Sequence, residues 1–238
     1  MIKAAREKIV GVLGGMGPDA TVELMRRVIR ATPADDDADH IHMIVDNNPK
    51  VPSRIKALIE GTGEDPTPHL AAMAARLEEA GADFMVIPCN TAHHYHRQIA
   101  DGVSVPVWNL IDITARHIVD LDGDIRTVGM LGSDAVRRVG LFDKTFSSNH
   151  LDLIYPSSVL QADLLDVIKG IKAGVLSPDQ AVTLQGAAED LRRNGAQVLL
   201  IACTELSILA DEMTFDLPAL DTLQILADEI VRVVKSDS

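Results

Sequence analysis

Aromatic residues are scarce in this chain. It has one Trp, two Tyr and four Phe among 238 residues, so the core formed by its 47% hydrophobic content must be largely aliphatic. Basic residues are also in short supply: 22 Lys and Arg face 35 Asp and Glu, for a formal charge of −13. Nucleic acids and anionic membrane surfaces both demand a Lys/Arg field, so neither is expected as a partner. No uninterrupted apolar stretch approaches the length of a membrane span. The opening residues, Met1 to Lys8, lead into a short apolar run broken by glycines. They lack the apolar segment and cleavage site of a secretory leader, so a cytoplasmic protein is expected. Only two cysteines are present, Cys89 and Cys203, too few for the disulfide framework of a secreted domain.

What is present reads as α/β. The length suits one such domain, or two small ones sharing a core. Ile9 to Leu13 is a continuous apolar run, as in a strand buried on both faces. The turn Gly14-Gly15-Met16-Gly17-Pro18 follows, and then helical spacing from Thr21 to Ile29, with Pro18 suited to the first helical turn. A second strand is predicted over 41–45, reached through the acidic run Asp35–Asp39, which reads as a solvated loop. A polar segment from Asn47 to Pro68 precedes a helix over 70–80, ended by Gly81. A strand from Phe84 to Pro88 then runs into Cys89. Alternation of this kind implies parallel βαβ units.

The second half of the chain repeats the first. Thr127-Val128-Gly129-Met130-Leu131-Gly132 echoes Ile9 to Gly14, and Leu191 to Ala196 echoes Leu77 to Ala82. The strand Val198 to Ala202 leads to Cys203-Thr204 as Phe84 to Pro88 leads to Cys89-Asn90-Thr91. Gly81 to Cys89 and Gly195 to Cys203 are both eight residues. After each cysteine come a helix and a short strand, Val105 to Val107 or Leu217 to Ala219. Two pseudosymmetric lobes are therefore expected, each a mostly parallel sheet flanked by helices, with the site in the cleft between them. Residues 1–105 and 217–238 are assigned to the first lobe, and 106–216 to the second.

Each cysteine stands at the C-terminal end of a strand, where open parallel sheets bind ligands. Each also precedes a helix, whose N-terminus favours a thiolate. Taken singly, either is a small buried hydrophobe. Taken as a matched pair across a cleft, they suit cofactor-free racemisation or epimerisation, in which one thiolate takes a proton from a stereocentre and the opposite thiol donates one to the other face. The carbanion formed between these transfers needs preorganised N–H donors and cations. Candidates are the Gly14–Pro18 turn, the Asn90-Thr91 and Thr204-Glu205 segments, Arg54 and Lys172.

Several motifs together resemble the aspartate racemase branch of the aspartate/glutamate racemase family. They are Gly14 to Thr21, Asn47-Asn48-Pro49 to Arg54, Gly63-Glu64-Asp65-Pro66, Pro88 to His93 and Cys203-Thr204-Glu205. The resemblance spans nearly the whole chain in order. It implies a cofactor-independent racemase, often a homodimer, with Cys89 and Cys203 as its two bases and a small acidic amino acid as substrate. The Met16 turn, Asn90, Thr91 and Thr204 would then hold the α-carboxylate and amino group. Arg54 and Lys172 match positions that meet a side-chain carboxylate. Two places depart from the family pattern: Gly132-Ser133-Asp134 replaces a Thr-rich turn, and Ile168 stands where a Tyr is expected. Glutamate, or a wider range of amino acids, therefore stays open beside aspartate. A hydantoin racemase, maleate isomerase or decarboxylase of the same fold is the nearest alternative.

Other signals point elsewhere. Gly15-Met16-Gly17-Pro18-Asp19-Ala20 approaches a dinucleotide fingerprint, but Pro18 removes an N–H from the loop that must face the pyrophosphate. Asp46 lies at the end of the second strand but beyond the usual spacing for a ribose-binding acid. His93, His94 and His96 follow Cys89 closely. A histidine touching the site or solvent is a better reading of His93 than a zinc ligand, and no metal is expected. Arg137-Arg138 reads as a solvated helix face, with Arg137 in reach of an acidic substrate.

Overall fold

The computed structural model describes residues 7–121 and 124–236. The reading of the extreme N-terminus rests on residues 1–6 and lies outside them. Two parallel sheets form the frame. The first has the order β2-β1-β3, from β1 (Val10–Gly14), β2 (Met43–Asn47) and β3 (Phe84–Val86). A parallel bridge from Met85 to Val107 extends it by one residue. The second has the order β5-β4-β6-β7, from β4 (Thr127–Leu131), β5 (Asp152–Ile154), β6 (Val198–Ile201) and β7 (Ala219–Asp221). The Val107 bridge in the first sheet thus corresponds to β7 in the second, and the repeat read from the sequence is a repeat of topology.

A matched packing detail accompanies it. A Cβ placed on Gly11 of β1 would lie 2.9 Å from Cβ of Ala82, and one on Gly129 of β4 would lie 2.9 Å from Cβ of Ala196. In both lobes the leading strand carries glycine because the turn into the next strand rests directly on it.

Helices cover both faces of each sheet. In the first lobe, Val10 and Val12 point toward α1 (Pro18–Ala31) and α10 (Thr222–Lys235), through Leu24, Val28, Leu226 and Ile230. Leu13 and Met85 point the other way, toward α2 (Thr67–Glu79) and α3 (His96–Ala100), through Leu70, Met73, Leu77 and Ile99. In the second lobe, Leu131, Leu199 and Ile201 pack on α7 (Ser158–Lys172) and α8 (Pro178–Arg193). Val128, Met130 and Leu200 meet α4 (Leu110–Val119) and the rings of Phe142 and Phe146 on the opposite face. Helix α4 serves both lobes: Leu110 and Ile113 join the first core, whereas Ile111, Ala115 and Ile118 join the second. Among the described residues no helix is long and apolar enough to cross a membrane.

Some boundaries differ from the expected ones. The second strand is displaced to 43–47 because its pairing with β1 runs from Met43 through Asn47. As a half-exposed edge it carries Asp46 and Asn47, which hide it from an apolar pattern. The last crossing between lobes also moves. β7 hydrogen-bonds to β6 in the second sheet, while its Leu220 also packs against the first-lobe core that α10 completes. Residues 219–221, expected in the first lobe, thus pair with the second sheet and pack against both cores. The acidic run at 35–39 is exposed and ends in a 3₁₀ turn, Asp37–Asp39, with a capping box between Asp36 and Asp39.

Candidate active site

The first-lobe wall starts at the C-terminal end of β1. Gly15 has φ +89° and lies against Asn48, whose carbonyl carbon would be 2.2 Å from any added Cβ. Thr21 clasps the turn: its hydroxyl accepts from Gly15 N–H at 2.8 Å and donates to the Gly17 carbonyl at 3.1 Å. Arg54 ties a second loop to this turn, donating to the carbonyls of Val51, Pro52 and Met16 at 3.2, 2.7 and 3.3 Å. Its Nε is buried without a partner. Cys89 is buried at the end of the β3 segment, with Sγ 3.8 Å from the Thr91 hydroxyl. The expected helix after it is a 3₁₀ segment, Asn90–Tyr95, continued by α3.

The second-lobe wall is built on β6. Cys203 is buried at the start of α9 (Thr204–Ala210), and its thiol donates to Oε2 of Glu205 at 3.1 Å. Lys172, at the end of α7, binds the other oxygen of the same carboxylate. A Cβ on Gly17 would lie 3.3 Å from Glu205 Oε1 and 4.0 Å from Lys172 Nζ, so the first-lobe turn abuts this pair. Asn90 joins the two thiol-bearing segments. Its Nδ2 donates to the Thr222 hydroxyl at 2.9 Å, which donates to the Ile201 carbonyl at 3.1 Å, while Asn90 Oδ1 is buried without a partner.

Both walls close on one cavity of about 510 Å³. Met16, Arg54, Cys89, Asn90, Thr91, Lys172, Cys203, Thr204 and Glu205, all singled out in the sequence, line it together. Ser133, Ile168, Ile171 and Ile208 complete the second-lobe side. The electrostatics differ from expectation at Cys203. Burial first, and then the Glu205 carboxylate, push its thiol well above the ordinary range, overriding any lowering by the helix start. Burial alone would lower Lys172, but the Glu205 carboxylate outweighs it, so Lys172 stays protonated.

The chain matches the Asp/Glu/Hydantoin racemase family over residues 13–230. It belongs to that family. Racemisation of an amino acid, an isomerase reaction, is the activity that accompanies membership. The broad specificity amino-acid racemase RacX of Bacillus subtilis is 26% identical, over 94% of this chain and 96% of its own. The aspartate racemase of Picrophilus torridus superposes with a TM-score of 0.81 at 27% identity, covering 96% of this chain and 94% of its own. A glutamate racemase from Francisella tularensis shares the fold at 14% identity, with a TM-score of 0.65 over 97% of this chain and 81% of its own.

Other expected contacts of this racemase-family chain fall elsewhere. Asp134, in the turn that departs from the family pattern, pairs with Arg138 on its own helix α5 (Asp134–Arg138) and stays off the cavity lining. Arg137 sits 5.3 Å over the Tyr155 ring and is likewise not part of the lining. Asp46 pairs with Arg76 at 2.6 Å. Among the described residues no group of three His, Cys, Asp or Glu is placed to hold a metal ion.

His93 touches neither the cavity nor solvent, contrary to expectation. Its Nε2 accepts from Leu110 N–H at 3.1 Å, so Nδ1 carries the proton and donates to the Cys89 carbonyl at 2.9 Å. The neutral ring thereby staples the backbone of Cys89 to the start of α4. Burial lowers its pKa from 6.5 to about 4. A folded-state pKa below the unfolded one gives stability that is complete above 6.5 and is lost as pH falls toward 4. Unfolding in urea should show a loss of about 3 kcal/mol from this ring across that window. His93→Gln should flatten that part of the pH profile; an unchanged slope would refute the role.

Proposed function

We propose that the chain interconverts L- and D-aspartate, with glutamate as the next substrate, by cofactor-free proton transfer between Cys89 and Cys203. The observation that carries this reading is the pair of buried thiols at equivalent strand ends, opening on one cavity that also holds Arg54 and Lys172. One thiolate takes the Cα proton while the opposite thiol delivers one to the other face, so protons balance and no electron is transferred. The intervening carbanion is stabilised by cations and N–H donors placed beforehand in a site shielded from water. In this reading the unpartnered Nε–H of Arg54, with Lys172, meets carboxylate oxygens, and the unpartnered Oδ1 of Asn90 accepts from the substrate ammonium. The hydroxyls of Thr91 and Thr204 and the backbone of the Met16 turn complete the cradle. Thiols that must stay free suit a reducing cytoplasm.

A second reading, racemisation over a broader set of amino acids, is favoured by the cavity itself. Ile168, Ile171 and Ile208 make one side apolar, and Lys172 is already neutralised by Glu205. The Bacillus subtilis relative is itself named for broad specificity. A neutral hydantoin offers no partner to the Arg54 guanidinium, and a one-thiol decarboxylase has no use for the second cysteine. Incubation of purified protein with aspartate, glutamate or alanine in D2O, following α-deuterium and the opposite enantiomer, separates these readings. Aspartate should turn over fastest with nothing added. A requirement for pyridoxal phosphate, or no exchange with any amino acid, would overturn the proposal. Arg54→Ala should lower the rate on aspartate at least about tenfold more than the rate on alanine, the value of one charge-assisted hydrogen bond. Equal losses would remove Arg54 from specificity.

A homodimer belongs to the same proposal. Val159, Val175, Leu176 and Val182 are large apolar side chains left exposed on α7, α8 and their connection, of the kind a second subunit covers. Sedimentation velocity tests it, and a mass near the 25.7 kDa of one chain would remove it.

A further inference from the structure

The two thiols occupy equivalent places but have different neighbours. Two residues after Cys89 stands a hydroxyl, Thr91, with Oγ1 3.8 Å from the sulfur. Two residues after Cys203 stands a carboxylate, Glu205, with Oε2 3.1 Å from the sulfur. A hydroxyl can donate to a thiolate as readily as accept from a thiol. An ionised carboxylate only accepts, so it holds a thiol and repels a thiolate. Building on the two-base reading, we infer that Glu205 holds the resting proton on Cys203 and leaves Cys89 as the base that opens the reaction.

Lys172 fixes this arrangement. Its ammonium is bound to Oε1 of Glu205, which leaves Oε2 turned toward Cys203. The same ammonium lies within electrostatic range of both sulfurs, so what separates them is the carboxylate oxygen bound to Cys203 against the hydroxyl beside Cys89. The remaining ionisable groups of the cavity lining, Asp19 and Arg54, belong to the first-lobe wall. Behind α9, the charges of Arg27, Asp211 and Asp221 are taken up with one another. Burial and Glu205 both push the Cys203 thiol upward, in agreement with the geometry.

The proton inventory is then defined. In the first turnover Cα loses its proton to the sulfur of Cys89 and gains one from the sulfur of Cys203, leaving a thiol at 89 and a thiolate at 203. Cys89 then releases a proton to solvent and Cys203 takes one up, restoring the resting form. Substrate with its Cα–H toward Cys89 meets that form directly. The other enantiomer needs the minor form, with the proton on Cys89.

Pulsed alkylation with iodoacetamide over a pH series, read by peptide mass spectrometry, tests the assignment on the whole protein. Cys89 should carry the first adduct at neutral pH, and Cys203 should react only at higher pH. Glu205→Gln keeps the shape and removes the charge, so the Cys203 midpoint should fall by about one pH unit or more while that of Cys89 holds. Glu205→Thr, which copies the first lobe, should bring the two midpoints together. Cys203 reacting first, or both cysteines reacting at one pH, in the wild-type protein would overturn the assignment without any variant. So would an unmoved Cys203 midpoint in folded Glu205→Gln. Alkylation needs no turnover: the expected order without racemase activity counts against the racemase reading alone, and the reverse order with activity counts against the proton placement alone.

Discussion

Cys89→Ala and Cys203→Ala are each expected to lower the rate of racemisation by about 10²–10⁴-fold, the range for loss of a positioned acid or base. Inversion needs a donor on the face opposite the base, so neither thiol can substitute for the other. The residual chemistry should differ between the variants. A protein that keeps one thiol can still remove the Cα proton from the enantiomer facing it and return a deuteron to the same face. Each variant should therefore wash α-hydrogen out of one enantiomer in D2O without producing the other, and the two variants should act on opposite enantiomers. Both side chains are small and already buried, so truncation to alanine leaves little space unfilled. Circular dichroism and urea unfolding should confirm that each variant is folded. Full activity in either variant would refute the two-base mechanism. Loss of activity with exchange of the same enantiomer in both would place the two thiols on one face.

The features legible in the sequence were those encoded locally and encoded twice. Gly11 against Ala82 and Gly129 against Ala196 are one packing solution written at two places, so the repeat is visible in the sequence itself. Met16, Cys89, Asn90, Cys203 and Thr204 were legible because they gather at strand ends, which follow directly from the position of each apolar run. Arg54 and Lys172, on a loop and a helix end, were instead matched through the racemase resemblance. The extent of β2 was not, since an edge strand with Asp46 and Asn47 lacks the apolar continuity of a buried one. Nor was the place of β7, because a three-residue strand before a long amphipathic helix does not say which sheet it joins. Glu205 was legible as a cavity residue but not as the partner of Cys203 and Lys172, since Lys172 arrives from another helix. His93 was misread for a similar reason: its acceptor role is set by the N–H of Leu110.

Arg27 illustrates the same limit with the larger effect on stability. It lies on α1, is 4% exposed, and was silent in the sequence because its partners Asp211 and Asp221 are 184 and 194 residues away. Its guanidinium binds Glu23 at 3.1 Å, Asp211 at 2.6 Å and Asp221 at 2.7 Å. Asp221 in turn accepts from the Ser207 hydroxyl in α9 and from Leu223 N–H at the start of α10, both at 2.8 Å. One cation thus ties the first lobe to the helix carrying Glu205 and to the crossing between lobes. Arg27→Ala would leave Asp221 and Glu23 buried without that cation, at a cost of about 3–5 kcal/mol. The pH dependence follows from Asp221, which burial already holds above its ordinary value despite Arg27. Without the cation its folded-state pKa rises further. A carboxyl with a raised folded-state pKa binds more protons when folded, so the variant regains stability as pH falls through that value. Urea unfolding should therefore show the widest gap between Arg27→Ala and wild type at neutral pH, narrowing in acid. Adding Asp221→Asn should recover part of the loss by removing the stranded charge. A deficit below about 1 kcal/mol at neutral pH, within the range of a surface pair, would show that the cluster does not hold the lobes together.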